Sequence, residues 1–152
     1  MKPPDKFTIE RLLIEYSHIN ERRHELLIKM QETKMLRENT ENTLKSAFLD
    51  GMPKVRQLTD QVYKAVQKVV DEYDVYLRYY KNEIEELNRK EIAMHEALKV
   101  LEPHEYNIIQ YRYIKGYDWR NVILKVHYNR SRCFEIKDMS LEKLIKVYKS
   151  SD

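Results

Sequence analysis

Glycine is scarce in this chain, and that scarcity constrains the fold more than any other feature: Gly51 and Gly116 are the only two in 152 residues. Sandwiches, barrels and dinucleotide-binding folds need more glycines for their turns. The prolines add few further breaks, at Pro3, Pro4, Pro53 and Pro103. Because everything between these breaks is free to be helical, we predict an all-α protein.

The composition, 35% charged and 42% hydrophobic, is typical of a soluble globular protein. It argues against disorder and against membrane spanning. A single cysteine, Cys133, cannot form an internal disulfide, and residues Met1 to Asp5 contain no apolar targeting segment. These features favour a reducing, cytoplasmic compartment.

Charge is unevenly distributed along the chain. Up to Glu102 there are 18 basic and 19 acidic residues, whereas from Pro103 onward there are 10 basic and 6 acidic. A basic C-terminal third on a neutral body indicates a polyanionic partner.

Apolar residues at three- and four-residue intervals predict two long helices in the first hundred residues. The first helix runs from Phe7, and its apolar pattern weakens through the polar stretch 38–43. A turn is expected from Asp50 to Pro53. The second, about 40 residues and roughly 60 Å long, carries a heptad-like stripe of Val62, Val66, Val69, Tyr73, Tyr76, Tyr80, Leu87, Met94, Ala97 and Leu101.

Two rods joined by a short turn predict a long antiparallel helical hairpin, a coiled coil, over residues 1–100. The tyrosines have the spacing of hairpin core and interface. A lone hairpin buries little surface, so we expect a second copy of the chain, giving a homodimer, to cover the remaining apolar face. The alternative role of the hairpin is docking of a partner protein, such as capture of a partner's helix along its apolar stripe. That face includes Leu13, Ile28, Tyr79 and Ile84.

The region 101–152 is predicted to be a helix-turn-helix domain. Pro103 suits a helix start, Gly116 suits a stop, and Asp118 can cap the next helix. That helix is short, its buried face being Trp119, Val122, Ile123 and Val126, and a tight connection at His127 and Tyr128 follows it. Asn129 then caps a longer final helix that starts at Arg130.

A helix of this kind enters the major groove with its first outward side chains against base edges. We predict that Arg130, Ser131, Phe134 and Glu135 contact bases. Arginine can bind guanine in bidentate fashion, glutamate can accept from cytosine, and phenylalanine can contact a thymine methyl. The predicted phosphate contacts are Arg120, Lys125, Arg132 and Lys137, with Lys115 and Arg112 at the flank.

These residues resemble a known family. The segment LEPHEYNIIQYRYIKG at 101–116, then Asp118-Trp119 with Val122 and Val126, then NRSRC at 129–133, resembles region four of bacterial sigma factors. Together with the helical body before it, the chain is similar to small phage late-gene regulators of the ArpU and RinA type. The resemblance implies a DNA-binding activator in a bacterial host, with RNA polymerase as a second candidate partner, and places Arg130, Ser131, Phe134 and Glu135 at base-contacting positions.

Other functions have weaker support. The alternative is a coiled-coil structural or packaging-adaptor protein that uses the helix-turn-helix for docking, although such adaptors usually carry that module first. The five histidines form no zinc-binding motif, no glycine-rich loop is available for a nucleotide, and Cys133 has the spacing of a packed residue. We therefore expect no catalytic site, metal or cofactor.

Overall fold

The computed structural model describes residues 5–49 and 56–148, and within them every regular element is a helix. The all-α prediction is confirmed, whereas the predicted turn at Asp50 to Pro53 lies outside the described residues. The elements are α1 (Lys6–Leu49), α2 (Arg56–Leu98), α3 (Pro103–Ile109) with a π-helical continuation (Gln110–Ile114), α4 (Trp119–Val126) and α5 (Arg130–Val147). None of these helices is both long and apolar enough to cross a bilayer.

The short helices begin and end at the residues that the sequence indicates. Asp118 accepts a hydrogen bond from the backbone N–H of Asn121 at 2.9 Å and so caps α4. Gly116 has a φ of +72°, the left-handed conformation that glycine adopts without steric cost. Pro103 occupies the first turn of α3, where its missing N–H has no intrahelical partner to lose.

The chain divides into two compact units, and each is described by itself. The first unit is formed by Met1–Arg22 and Glu86–Asp152, and the second by Arg23–Glu85. Both contain parts of α1 and α2, which form the long helical pair expected from the sequence.

The core of the first unit joins the beginning of α1 and the end of α2 to the C-terminal helices. Its buried side chains are Ile9, Leu13, Met94, Ala97, Leu98, Leu101, Ile109, Tyr113, Leu141 and Leu144. A second cluster, Ile108, Val122, Cys133 and Ile136, holds α3, α4 and α5 together. Leu13 is therefore a core residue with no exposed surface, and the expectation that a second copy covers it is wrong.

An ion pair with a buried carboxylate fixes α3 to α5. Glu105 is 2% exposed, and one of its carboxylate oxygens accepts from the Lys143 ammonium at 2.7 Å and from the backbone N–H of Glu102 at 3.0 Å. Burial acts to raise the pKa of Glu105, but these two hydrogen bonds outweigh it, and the pKa lies below its ordinary value of 4.5. The same pair raises the pKa of Lys143 above 10.5.

Replacing Lys143 with alanine is expected to destabilise the protein in a pH-dependent way, because a buried carboxylate loses its cation. A lowered carboxyl pKa stabilises the fold above pH 4.5, and this stabilisation is lost as pH falls through the folded-state pKa. Melting temperatures of the two proteins should differ clearly at neutral pH and converge in acid. A constant difference down to pH 3, or none at neutral pH, would contradict the assignment.

The second unit has a thin interior. Leu26 and Val70 are its fully buried apolar side chains among the residues with described exposure, and Arg37 of α1 donates to Asp74 of α2 at 2.6 Å. Among the α2 residues of this unit with described exposure, the apolar side chains that turn away from solvent are Val66, Val70, Tyr73, Leu77, Tyr80 and Ile84. The predicted stripe was partly wrong here, since Val62, Val69 and Tyr76 lie exposed on the flank of this seam.

Candidate nucleic-acid interface

The site is built on the turn that joins α4 to α5. His127 ends α4 in the left-handed conformation, with a φ of 60°, which histidine tolerates better than most residues. Two residues later, the side chain of Asn129 accepts from the backbone N–H of Arg132 at 2.8 Å and caps α5. The register of α5 is thereby fixed at its first residue, as the sequence predicted.

The first turn of α5 faces solvent. Arg130, Ser131 and Arg132 are all exposed, as is Glu135 one turn further on. Their helical opposites, Cys133 and Ile136, are buried in the core cluster beneath. Helical periodicity therefore separates the predicted base-contacting residues from the packing residues at these positions.

Phe134 differs from this pattern, because it is half-buried instead of facing fully outward. Its ring lies 4.7 Å from that of Trp119, measured between centroids, with a tilt of 45° between the planes. Phe134 is half-buried because it lies on the flank of α5 that faces the beginning of α4. An aromatic contact of this kind fixes the orientation of both helices.

Three cations surround the two rings. The Arg130 guanidinium lies 5.5 Å from the Phe134 centroid, Lys137 lies 5.1 Å from the same ring, and Arg112 lies 5.2 Å from the Trp119 ring. We call these five residues the cation–aromatic cluster. Positions 130, 134 and 137 share one flank of α5 by their spacing, but nothing in the local sequence links them to Arg112 and Trp119.

The cations of the C-terminal region differ in how strongly they are held. Arg132 pairs with Glu135 at 3.0 Å and Lys137 with Asp138 at 3.3 Å. Arg112 donates to the backbone carbonyl of Tyr117 at 3.1 Å, so it also supports the loop before α4.

Several exposed cations make no ion pair with a carboxylate within residues 5–49 and 56–148, and four of the predicted DNA-contacting residues are among them: Lys115, Arg120, Lys125 and Arg130. Lys115 lies 4.9 Å from the centroid of Tyr111, whose ring stacks on Tyr117. Unpaired cations on one module produce a positive field that attracts polyanions. The predicted phosphate contacts therefore include side chains with no competing carboxylate partner.

Cys133 is a packing residue. Its side chain is fully buried, and burial raises the pKa of the thiol. A nucleophilic or metal-binding cysteine needs the opposite shift, towards the thiolate.

Comparison with family models, with curated proteins and with solved structures finds no match to this chain. Functional inference therefore depends on the residues and geometry described above.

Proposed function

We propose that this chain is a sequence-specific DNA-binding transcriptional regulator that inserts the beginning of α5 into the major groove. By the resemblance of its C-terminal third, it is proposed to activate phage late genes in the cytoplasm of a bacterial host, as a homodimer and with RNA polymerase as a second partner. The observation that carries the proposal is the exposed, capped first turn of α5 with Arg130, Ser131 and Arg132 on its surface.

The preorganisation of Arg130 supports base contact. A free arginine loses rotamer entropy when it binds a base edge. Packing over the Phe134 ring limits that loss, since the guanidinium already lies against a fixed surface. Because Phe134 is itself held by Trp119, the first turn of α5 presents its arginine from a rigid support.

The charge distribution supports backbone contact. Lys115, Arg120 and Lys125 surround the helix that precedes α5 and have no carboxylate partner in the described part of the chain. In a major-groove complex, the helix before the groove-binding helix crosses the phosphate backbone. These three cations are therefore proposed to bind phosphates, while Arg132 must first exchange its contact with Glu135 for one with DNA.

The salt dependence of DNA affinity tests the phosphate contacts. Each neutralised phosphate contributes a slope of about −0.9 to the logarithm of affinity against the logarithm of salt, so three contacts predict about −3 per bound copy. Lys125→Ala should reduce the magnitude of this slope by about 1 and should weaken binding to all DNA sequences equally. Lys81→Ala, in the second unit, is the matched control and should leave the slope unchanged.

Fluorescence anisotropy with labelled duplexes between low and physiological salt gives these slopes. Affinity that does not depend on salt would contradict the assignment of Lys115, Arg120 and Lys125 to phosphates. Equal slopes for Lys125→Ala and Lys81→Ala would remove Lys125 from the interface.

A further inference from the structure

The second unit leaves most of its large apolar side chains in solvent. Leu26 and Val70 are buried, but Leu27, Ile28, Met35, Leu36, Val62, Tyr63, Val69, Val75, Tyr76 and Tyr79 are each at least 38% exposed. Exposed apolar side chains in such number on a two-helix unit indicate an interaction site.

Part of this surface is a second heptad on α2. Its positions alternate in steps of three and four and are Val62, Ala65, Val69, Glu72, Tyr76 and Tyr79, which we call the α2 stripe. All six are exposed, with Val69 at 38% and Tyr76 at 55%. The seam that packs towards α1, represented by Val66, Val70 and Tyr73, is a separate set of positions. A helix with two adjacent apolar heptads is typical of a bundle with more than two helices.

We propose that the α2 stripe pairs with the α2 stripe of a second copy of this chain in antiparallel orientation about a two-fold axis. In an antiparallel pair, each first heptad position lies opposite a fourth position of the partner helix. This register sets Val62 against Tyr79 of the second copy and Ala65 against Tyr76 of the second copy. A large ring then lies opposite a small side chain at both ends, as interdigitated packing requires.

Charge complementarity supports a second copy of the chain as the molecule that packs against the α2 stripe. Glu72 is the one charged position within the α2 stripe, and Lys68 lies one turn before it. Neither forms an ion pair within the part of the chain that the structure describes. The antiparallel register brings Lys68 beside Glu72 of the second copy, and symmetry repeats the contact. A parallel pair would instead set Glu72 against Glu72, which is repulsive.

The inference depends on the homodimer in the proposed function and is independent of DNA binding. The stripe is about 26 Å long at 1.5 Å per residue, which is short for a permanent interface. We therefore expect a dissociation constant on the order of 10 μM.

Sedimentation velocity of the full chain without DNA, from about 1 to about 200 μM, measures this equilibrium. Val69→Asp should weaken the dimer about tenfold or more, and Glu72→Leu should tighten it by a similar factor, since a leucine replaces a charge at a seam position. Ile92→Asp is the matched control, because Ile92 is 63% exposed on the same helix but lies beyond the end of the stripe at Tyr79, and it should have no effect. A monomer at every concentration would overturn the proposal, as would equal weakening by both aspartates.

A charge swap tests the register. Lys68→Glu and Glu72→Lys should each weaken the dimer, and the double variant should restore it. Orientation is tested by mixing Ala65→Cys protein with Tyr76→Cys protein. Disulfides that join one variant to the other support the antiparallel pair, whereas disulfides that join only two copies of the same variant contradict it. Duplex binding of Val69→Asp, measured by anisotropy, separates this inference from the DNA proposal, since a failed dimer leaves monomer binding to DNA intact.

Discussion

Replacing Leu141 with alanine is expected to lower the free energy of unfolding by about 2–5 kcal/mol. Leu141 has no exposed surface, and it lies in the core of the first unit, where α5 meets the beginning of α1 and the end of α2. The shortened side chain leaves a cavity in a cluster that also contains Ile9 of α1 and Met94 of α2. Urea denaturation followed by circular dichroism measures the change.

Two further variants make this result specific. Met139→Ala, at an exposed position of the same helix, should change stability by no more than about 0.5 kcal/mol. Ile9→Ala should also destabilise strongly, and the double variant Ile9→Ala with Leu141→Ala should deviate from additivity, because both side chains belong to one cluster. A small effect of Ile9→Ala would contradict the packing of α1 in the core that holds α5.

Arg130→Ala is expected to cost about 1–3 kcal/mol of binding free energy on the preferred site and to relax specificity at one base pair. The loss is expected to depend on sequence, because the arginine contacts a base edge in the proposed complex. Lys125→Ala is the comparison, since the loss of a phosphate contact weakens binding to all sequences equally. Anisotropy with a set of single-base variants of the site measures both.

Arg130→Lys separates base contact from simple charge. Lysine retains the positive charge but cannot make the bidentate contact to guanine that arginine makes. We expect its selectivity to resemble that of Arg130→Ala, while its affinity for non-specific DNA stays near that of the unaltered protein. Full selectivity in the lysine variant would mean that residue 130 contacts phosphate and that α5 lies differently in the groove.

Local structure in the C-terminal third was predictable because its signals are local. Asp118 and Asn129 cap helices through bonds to residues three positions away, and Gly116 and His127 supply left-handed backbone. Each of these interactions is complete within one turn of chain. The bounds of α4 and α5 therefore follow from the sequence, whereas their role in binding DNA remains a prediction.

Packing between distant segments was less predictable. Val62, Val66, Val69 and Val70 all fit a heptad on α2, and only the position of α1 decides which of them form the seam. The contact of α1 with α5 in one core cluster likewise left no periodic signal, so Leu13 was assigned to the wrong surface.

The candidate site likewise combines features that follow from local sequence with features that depend on distant contacts. Exposure of Arg130, Ser131 and Glu135 follows from helical periodicity, and the structure places all three on the surface. The half-burial of Phe134 depends on Trp119, fifteen positions earlier, and the pairing of Arg132 with Glu135 depends on rotamers. Sequence spacing does not constrain the contact with Trp119, whereas the three-residue spacing of Arg132 and Glu135 permits their pairing without requiring it.

The central claim is that the beginning of α5 reads DNA sequence. Selection from a random duplex library by the purified full chain at physiological salt, followed by sequencing, tests it most directly. Enrichment of one motif by the unaltered protein, with one position of that motif degenerate for Arg130→Ala, is the predicted result. Binding to all duplexes alike, or an unchanged motif for the variant, would contradict the claim, and the former would favour a structural or adaptor role.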